Sequence, residues 1–334
     1  MSVHIHSDSP LLILREIDRN RRGYSAYKSC PDHRDLCECF KKTHHSKIKA
    51  FVKANRPIEF ILPAFPAKSP NKNKVLGYLP DMAERISLAF LNDFCQRIER
   101  IYPPGAKLTI CSDGRVFGDL IRTSDEKISA YQAGIRQLIA DQRANRLDLF
   151  NLEDFQPFAD CAGSFDEIRQ RLIDEFAHPV EAIKRQLMTE EGGRRLYCAI
   201  TRFLYEDGLM PGYSGSKSKL QQDSRQRAIR VIKRSQAWGA LLAHHFPQAI
   251  RLSIHPQPAH SQKIGIHMIP TKDSWLTPWH GVAVEEEGKF MLMKRSEAES
   301  LGAHIVMRDN QQSHYQIGCP TLRDHCDLAK RKMP

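Results

Sequence analysis

Apolar and polar positions along the chain fall into two rhythms, one marking strands and one marking helices. Ile58-Glu-Phe-Ile-Leu62 is a short apolar run closed by Pro63, the pattern of a buried strand entering a loop. Asp81 opens a helical pattern over Met82–Tyr102, with Ile86, Phe90, Phe94, Ile98 and Ile101 as its apolar positions and Pro103-Pro-Gly105 as the stop. Lys107–Cys111 reads as a second strand, Glu126–Gln142 as a helix and Leu147–Leu152 as a third strand. Such an alternation predicts right-handed βαβ crossovers and a largely parallel sheet.

From there the period is helical over Phe165–Phe176, Val180–Met188, Gly193–Leu204 and Lys219–His245, with the Gly/Ser-rich loop Pro211-Gly-Tyr-Ser-Gly-Ser-Lys217 between the last two. Strand patterns return at Ile250–His255, Lys263–Ile269, Val282–Val284, Phe290–Met293 and His304–Val306, with a helix at Arg295–Leu301. The fold class expected is α/β, with a mainly helical cap or insertion at about residues 155–246. Residues 1–50 are irregular, rich in His and Lys, and hold one short helical pattern around Leu11–Arg22. They read as an N-terminal arm to an α/β domain over 51–334.

Composition narrows the classes. An apolar content of 41% in 334 residues is enough to bury a core and excludes general disorder. No run approaches the ~20 consecutive apolar residues of a membrane helix. Met1–Pro10 lacks the basic region and apolar core of a secretory signal. A soluble, cytosolic protein without a membrane partner is expected.

Fifty Lys and Arg against 39 Asp and Glu leave a formal charge of +11. The basic segments Lys41–Lys49, Arg225–Arg234 and Lys330–Lys332 are scattered, and no nucleic-acid recognition motif accompanies them. A small anionic ligand held by a few convergent cations is the better reading of this charge. Nine cysteines, an odd number, with Cys95, Cys111 and Cys198 inside apolar segments, suit reduced thiols. Cys30, His33, Cys37 and Cys39, near His44 and His45, are soft ligands, but their spacing is too compressed for the paired hooks of a zinc site. No metal is assigned.

Three segments place polar residues at strand ends, where α/β sheets bind their ligands. The first is Lys68, Lys72 and Lys74 on a proline-stiffened loop. A lysine there can bind phosphate or activate a carbonyl, and three solvated loop lysines are the plainer alternative. The second is Ser112-Asp113-Gly114-Arg115, where Arg115 can hold a carboxylate or phosphate or can pair with a neighbouring Asp to shape the turn. The third is Arg251-Leu-Ser-Ile-His255. Alternation puts Arg251, Ser253 and His255 on one face, a costly set to bury without partners. A histidine there is a natural proton shuttle. Trp275-Leu-Thr-Pro-Trp279-His280 adds rings and a second histidine, and Lys233, Arg234, Ser235, Lys263, Lys294 and Arg295 are further polar candidates. The chain has no Gly-x-Gly-x-x-Gly after the first strand, no phosphate-binding Gly-x4-Gly-Lys-Ser/Thr loop and no Gly-x-Ser-x-Gly elbow, so a nucleotide cofactor lacks positive support.

Six blocks together carry a family resemblance: Leu62-Pro-Ala-Phe-Pro-Ala-Lys-Ser-Pro-Asn71, Tyr102-Pro-Pro-Gly-Ala106, Ile110-Cys-Ser-Asp-Gly-Arg-Val-Phe117, Ser235-Gln-Ala-Trp238, Arg251-Leu-Ser-Ile-His-Pro256 and Thr277-Pro-Trp-His-Gly281. In this order they resemble the pyoverdine/dityrosine biosynthesis family, the isonitrile (isocyanide) synthases. The resemblance implies a modified Rossmann-like fold and conversion of the α-amino group of an amino acid, typically tyrosine or tryptophan, into an isonitrile. It implies ribulose 5-phosphate as the carbon donor, no metal or redox cofactor, and an iron/2-oxoglutarate oxygenase as pathway partner. Fungal members act in dityrosine formation for spore walls.

On these motifs Lys68 is expected to activate the carbonyl, His255 or His280 to act as acid/base, and Asp113 to carry a second proton. Lys72, Lys74, Ser112, Arg115, Arg234, Ser235, Arg251, Ser253 and Trp279 are expected to bind substrate, with Phe65 beside Trp279 in an apolar slot. Two other classes make different predictions. A methyltransferase-like enzyme with a nucleotide cofactor would gain thermal stability from S-adenosylmethionine. A nucleic-acid-binding module would show steeply salt-dependent binding.

Overall fold

A computed structural model describes residues 8–23, 36–161, 164–273 and 275–318. Its central sheet holds β1 (Ile58–Ala64), β2 (Ala106–Ser112), β3 (Leu147–Asn151), β4 (Ile250–Ser253) and β5 (Ile264–Gly265), all parallel, in the order β3-β2-β1-β4-β5. Period-two alternation sorts the side chains. Phe60, Leu62, Leu108, Ile110, Ile250 and Leu252 pack on one face with Phe94, Ile98 and Tyr131. Ile61, Cys111 and Phe150 pack on the other with Trp238 and Leu241.

The first face is covered by α3 (Met82–Ile101) and α5 (Asp125–Asp141). The start of α3 is set by a reciprocal cap. Asp81 Oδ1 accepts the Ala83 N–H at 2.9 Å, and Glu84 Oε2 accepts the Asp81 N–H at 3.0 Å. A short α4 (Gly114–Phe117) follows β2. Between β3 and β4 run α6 (Phe165–Phe176), α7 (Val180–Thr189), α8 (Glu191–Gly208) and the long α9 (Lys217–His245), which covers the second face through Ala237, Trp238, Leu241 and Leu242.

The chain departs from its sequence pattern in three places. First, α1 (Ser9–Arg19) and α2 (Glu38–Lys53) put Ile13, Leu14, Ile17, Phe40 and Ile48 into the same core as β1. The buried stripe of α2 (Phe40, His44, Ile48, Phe51) is diluted by intervening lysines, so the segment reads as polar. Residues after α1 continue onto the sheet: the Arg22 N–H donates to Gly265 O at 2.7 Å and the Gln257 N–H to Arg22 O at 3.0 Å.

Second, the expected strand over 263–269 is confined to β5. The backbone beyond it bonds the N-terminal segment instead, His267 N–H to Asn20 O at 3.2 Å. Third, the later strands form a separate mixed sheet, with order β7-β6-β9-β8: β6 (Val282–Glu286), β7 (Lys289–Met293), β8 (His304–Arg308) and β9 (Gln311–Ile317), with α10 (Arg295–Ser300) between β7 and β8. β9 lacks apolar alternation, since its buried residues are Ser313, His314 and Tyr315. Among the described residues no helix is long and apolar enough to cross a membrane.

Candidate functional site

The strand order reverses between β1 and β4, and in open parallel sheets the crevice beyond the carboxyl ends at such a point is where ligands bind. Backbone is drawn tight here. Phe65, just past β1, sits at φ 56°, in the left-handed region that costs a non-glycine residue about 1–3 kcal/mol. Neighbours hold it there: its carbonyl accepts the Ser112 hydroxyl at 2.9 Å, and its buried ring packs on Trp279 with centroids 5.2 Å apart. Beyond β2, a Cβ on Gly114 would lie 1.8 Å from Pro66 O, so the two strand-end loops touch backbone to backbone and only glycine fits.

Asp113 occupies the end of β2 with its Oδ1 buried and without a hydrogen-bond partner. Burial pushes this carboxyl up to about 7, against the pull of its own backbone N–H and of Arg251. Arg251 projects from β4 toward α9, its Nη1 3.0 Å from where a Cβ on Gly239 would stand. Ser253 Oγ accepts the backbone N–H of His255 at 3.1 Å and the Gln257 amide at 3.2 Å. The His255 ring lies 5.1 Å from that of Trp275 with Nδ1 buried and unpartnered. Burial, then Arg22 and Lys263, push its imidazole down to about 4.

A second group of contacts reaches α8. Lys74 reaches Asp207 Oδ1 at 2.7 Å and Glu206 Oε2 at 3.4 Å, while the buried Asn71 amide donates to the carbonyls of Glu206 and Leu209. His280 Nδ1 lies 2.9 Å from Thr277 Oγ1, its Nε2 lies 3.7 Å from Asp207 Oδ2, and its ring meets Phe203 edge-on at 4.6 Å. Burial pushes His280 down to about 4. Asp207 opposes this, while Lys74, Lys68 and His255 reinforce it. Burial thus favours the neutral form of both histidines and the protonated form of Asp113. That combination suits proton transfer to and from a bound amine or carbonyl.

Lys68 is placed differently from its neighbours. It is fully buried, with Nζ 2.8 Å from Asp81 Oδ2, 2.7 Å from Glu84 Oε2 and 3.0 Å from the Pro278 carbonyl. Tyr131 donates to the other Glu84 oxygen at 3.1 Å. Burial, opposed by Lys68, pushes Glu84 up to about 8. Arg115 is also enclosed: its guanidinium lies 2.7 Å from Asp125, 2.8 Å from Ser129 and 3.4 Å from Glu153, under the Phe165 ring at 3.5 Å. Of the two readings of that arginine, the pairing one describes its contacts.

Arg234 is bound to Asp119 and the Val116 carbonyl, Ser235 is exposed on α9, and Lys72 is exposed on its loop. Of the expected site residues, Ser112, Asp113, Ser253 and His255 thus stand at the carboxyl ends of β2 and β4, Arg251 within β4, and Lys74, Trp279 and His280 on the segments after β1 and before β6. Cys30 and His33 lie outside the described residues, Cys37 is buried and Cys39 exposed. Among the described residues no three or more His, Cys, Asp and Glu are grouped to hold a metal. Asn71, Asp207, Phe203 and Gly239 were not singled out from sequence. Asp207 and Phe203 lie on an amphipathic helix, far along the chain from Lys74 and His280, and no local pattern marks them.

A model of the family described as pyoverdine/dityrosine biosynthesis protein matches residues 48–306. An L-tyrosine isonitrile synthase of Pseudomonas aeruginosa is 54% identical over 94% of this chain and 96% of its own length. One from Xenorhabdus nematophila is 54% identical over 83% of each. An L-tryptophan isonitrile synthase of Fischerella ambigua is 46% identical over 91% of this chain and 90% of its own. The crystal structure of the PvcA protein from Pseudomonas aeruginosa superposes with a TM-score of 0.87, covering 92% of this chain and 99% of that one.

Proposed function

Because the chain belongs to the pyoverdine/dityrosine biosynthesis family, we propose that it converts the α-amino group of an amino acid into an isonitrile, with ribulose 5-phosphate as the carbon donor. The observation that carries this reading is 54% identity to an L-tyrosine isonitrile synthase along nearly the whole of both chains. L-Tyrosine is the substrate proposed, since identity to the tyrosine enzymes exceeds the 46% to the tryptophan enzyme. The sheet, ordered β3-β2-β1-β4-β5, is read as a modified Rossmann-like arrangement whose crevice holds the substrates.

The chemistry asks for a neutral amine, a polarised ketone and proton carriers during imine formation and later carbon–carbon cleavage. Asp113 is assigned to deliver a proton, and the neutral His255 and His280 to receive one. Trp279 and Phe65 supply an apolar wall for the amino-acid side chain, with Phe203 opposite on α8. No metal or redox cofactor enters this reading, so turnover is expected to survive exhaustive chelation. The product is expected to pass to an iron/2-oxoglutarate oxygenase.

The test is mass spectrometry after incubating the protein with ribulose 5-phosphate and each of the twenty amino acids. The expected product keeps the skeleton of tyrosine with NH2 replaced by N≡C. Absence of any such product from all pairs, beside a working relative as control, overturns the proposal. An isonitrile formed from a different amino acid overturns the choice of tyrosine alone.

A further inference from the structure

Most cations near the crevice are already paired. Lys68 and Lys74 have carboxylate partners, as do Arg115 and Arg234. Arg251 and the ammonium of Lys263 differ: among the described residues neither makes a side-chain hydrogen bond or an ion pair. The two lie close enough that Arg251 disfavours the charged form of Lys263, and Lys263 in turn acts on His255 beyond β4. Arg22 adds a third positive charge at the same strand ends, tied to the Ile254 carbonyl at 2.7 Å. Asp273 offsets the charge of Arg22, so the two like charges whose repulsion a ligand anion would relieve are Arg251 and Lys263. The acidic groups facing Arg251 among the described residues are the Cys111 thiol and the Asp113 carboxyl, and burial disfavours the charged form of both.

The backbone makes room for the guanidinium. Arg251 lies against α9 at Gly239, where a Cβ would stand 3.0 Å from Nη1 and 3.4 Å from Nη2. A methyl at this position would press on the guanidinium, which would have to give by a few tenths of an ångström.

We propose that Arg251, lying against α9 at Gly239, and Lys263 form the seat of the phosphate group of the sugar phosphate. The inference rests on the ribulose 5-phosphate-dependent reading above. A phosphate monoester carries a charge near −2 at neutral pH and matches two unpaired cations, whereas the carboxylate of an amino acid carries only −1. A guanidinium presents two parallel donors to such a group, and the ammonium adds a point charge.

Two measurements test this seat. In steady-state assays Arg251→Met and Lys263→Met are expected to raise the KM for ribulose 5-phosphate at least tenfold while the KM for the amino acid stays within twofold. Arg251→Lys is expected to fall between wild type and Arg251→Met, and Gly239→Ala to move in the same direction by displacing the guanidinium. Calorimetric titration with inorganic phosphate, which needs no turnover, is expected to show binding to wild type that is lost in Arg251→Met at unchanged melting temperature. A rise in the amino-acid KM instead would place the substrate carboxylate at Arg251 and overturn the proposal. Unchanged phosphate binding in both methionine variants also overturns it, even if the wild type is an active synthase. Failure of the wild type to use ribulose 5-phosphate would fall on the functional reading, with the phosphate titration still deciding the seat.

Discussion

Replacing Lys68 by Met tests whether this lysine works through the fold or on the substrate. The substitution removes the one cation lying between Asp81 and Glu84, both buried, and takes away the donor to the Pro278 carbonyl. Removing one partner of a buried ion pair costs about 3–5 kcal/mol, because the other charge stays behind uncompensated. At a little under about 2–4 °C per kcal/mol for a chain of this length, melting is expected roughly 6–10 °C lower by differential scanning calorimetry. Turnover falls as well, since the released turn carries Trp279 and His280. Burial pushes the Glu84 carboxyl up, so Glu84→Gln removes a charge that burial disfavours. Combined with Lys68→Met it is expected to restore several degrees of the loss. A Lys68→Met protein that melts as wild type but is inactive, together with borohydride trapping of the ketose on Lys68 in the wild type, would refute this argument. That outcome would return the lysine to the carbonyl role suggested by its motif.

Three further outcomes follow from the same contacts. Gly114→Ala drives a methyl into Pro66 O, with the built Cβ at 1.8 Å, and is expected to cost about 1–3 kcal/mol. By displacing Asp113 it should also lower kcat by about 10²-fold; wild-type kinetics would sink the packing argument. His255 and His280 have folded-state values of about 4, below their ordinary 6.5. Their contribution to stability is therefore complete above pH 6.5 and is lost as pH falls through 4. Urea melts of His280→Gln at pH 7 and pH 5 should show a smaller acid loss than wild type, and an identical loss would count against burial as the cause. Asp113→Asn removes the group titrating near 7 and is expected to reduce turnover about 10²–10⁴-fold, with loss of the inflection near that pH in the pH–rate profile.

The central strands and α3 were readable because local and tertiary signals agree there. Ile58–Leu62 is buried apart from Glu59 and reads as an apolar run broken only there, and Asp81 with Glu84 encodes the start of α3 within four residues. What escaped has its cause elsewhere in the chain. Separation of β6–β9 into their own sheet depends on β9, whose polar string becomes a strand only through its neighbours β6 and β8. The motif residues were found as a group, yet their division of labour was not. Lys68 and Arg251 look alike as strand-end cations, and only the placement of Asp81, Glu84 and Gly239 around them separates an enclosed ion pair from an unpartnered guanidinium.

The stretch from Asn20 to Arg22 crosses β5 so closely that a Cβ on Gly265 would come within 2.2 Å of Arg22 O. It occupies the hydrogen-bonding edge that a parallel sheet otherwise leaves open at its last strand. A protein shortened past Arg22 would lose Ile13, Leu14 and Ile17 from its core and would also present that edge as a template for other chains. Self-association, seen as concentration-dependent light scattering, is then the expected fate of the truncated form.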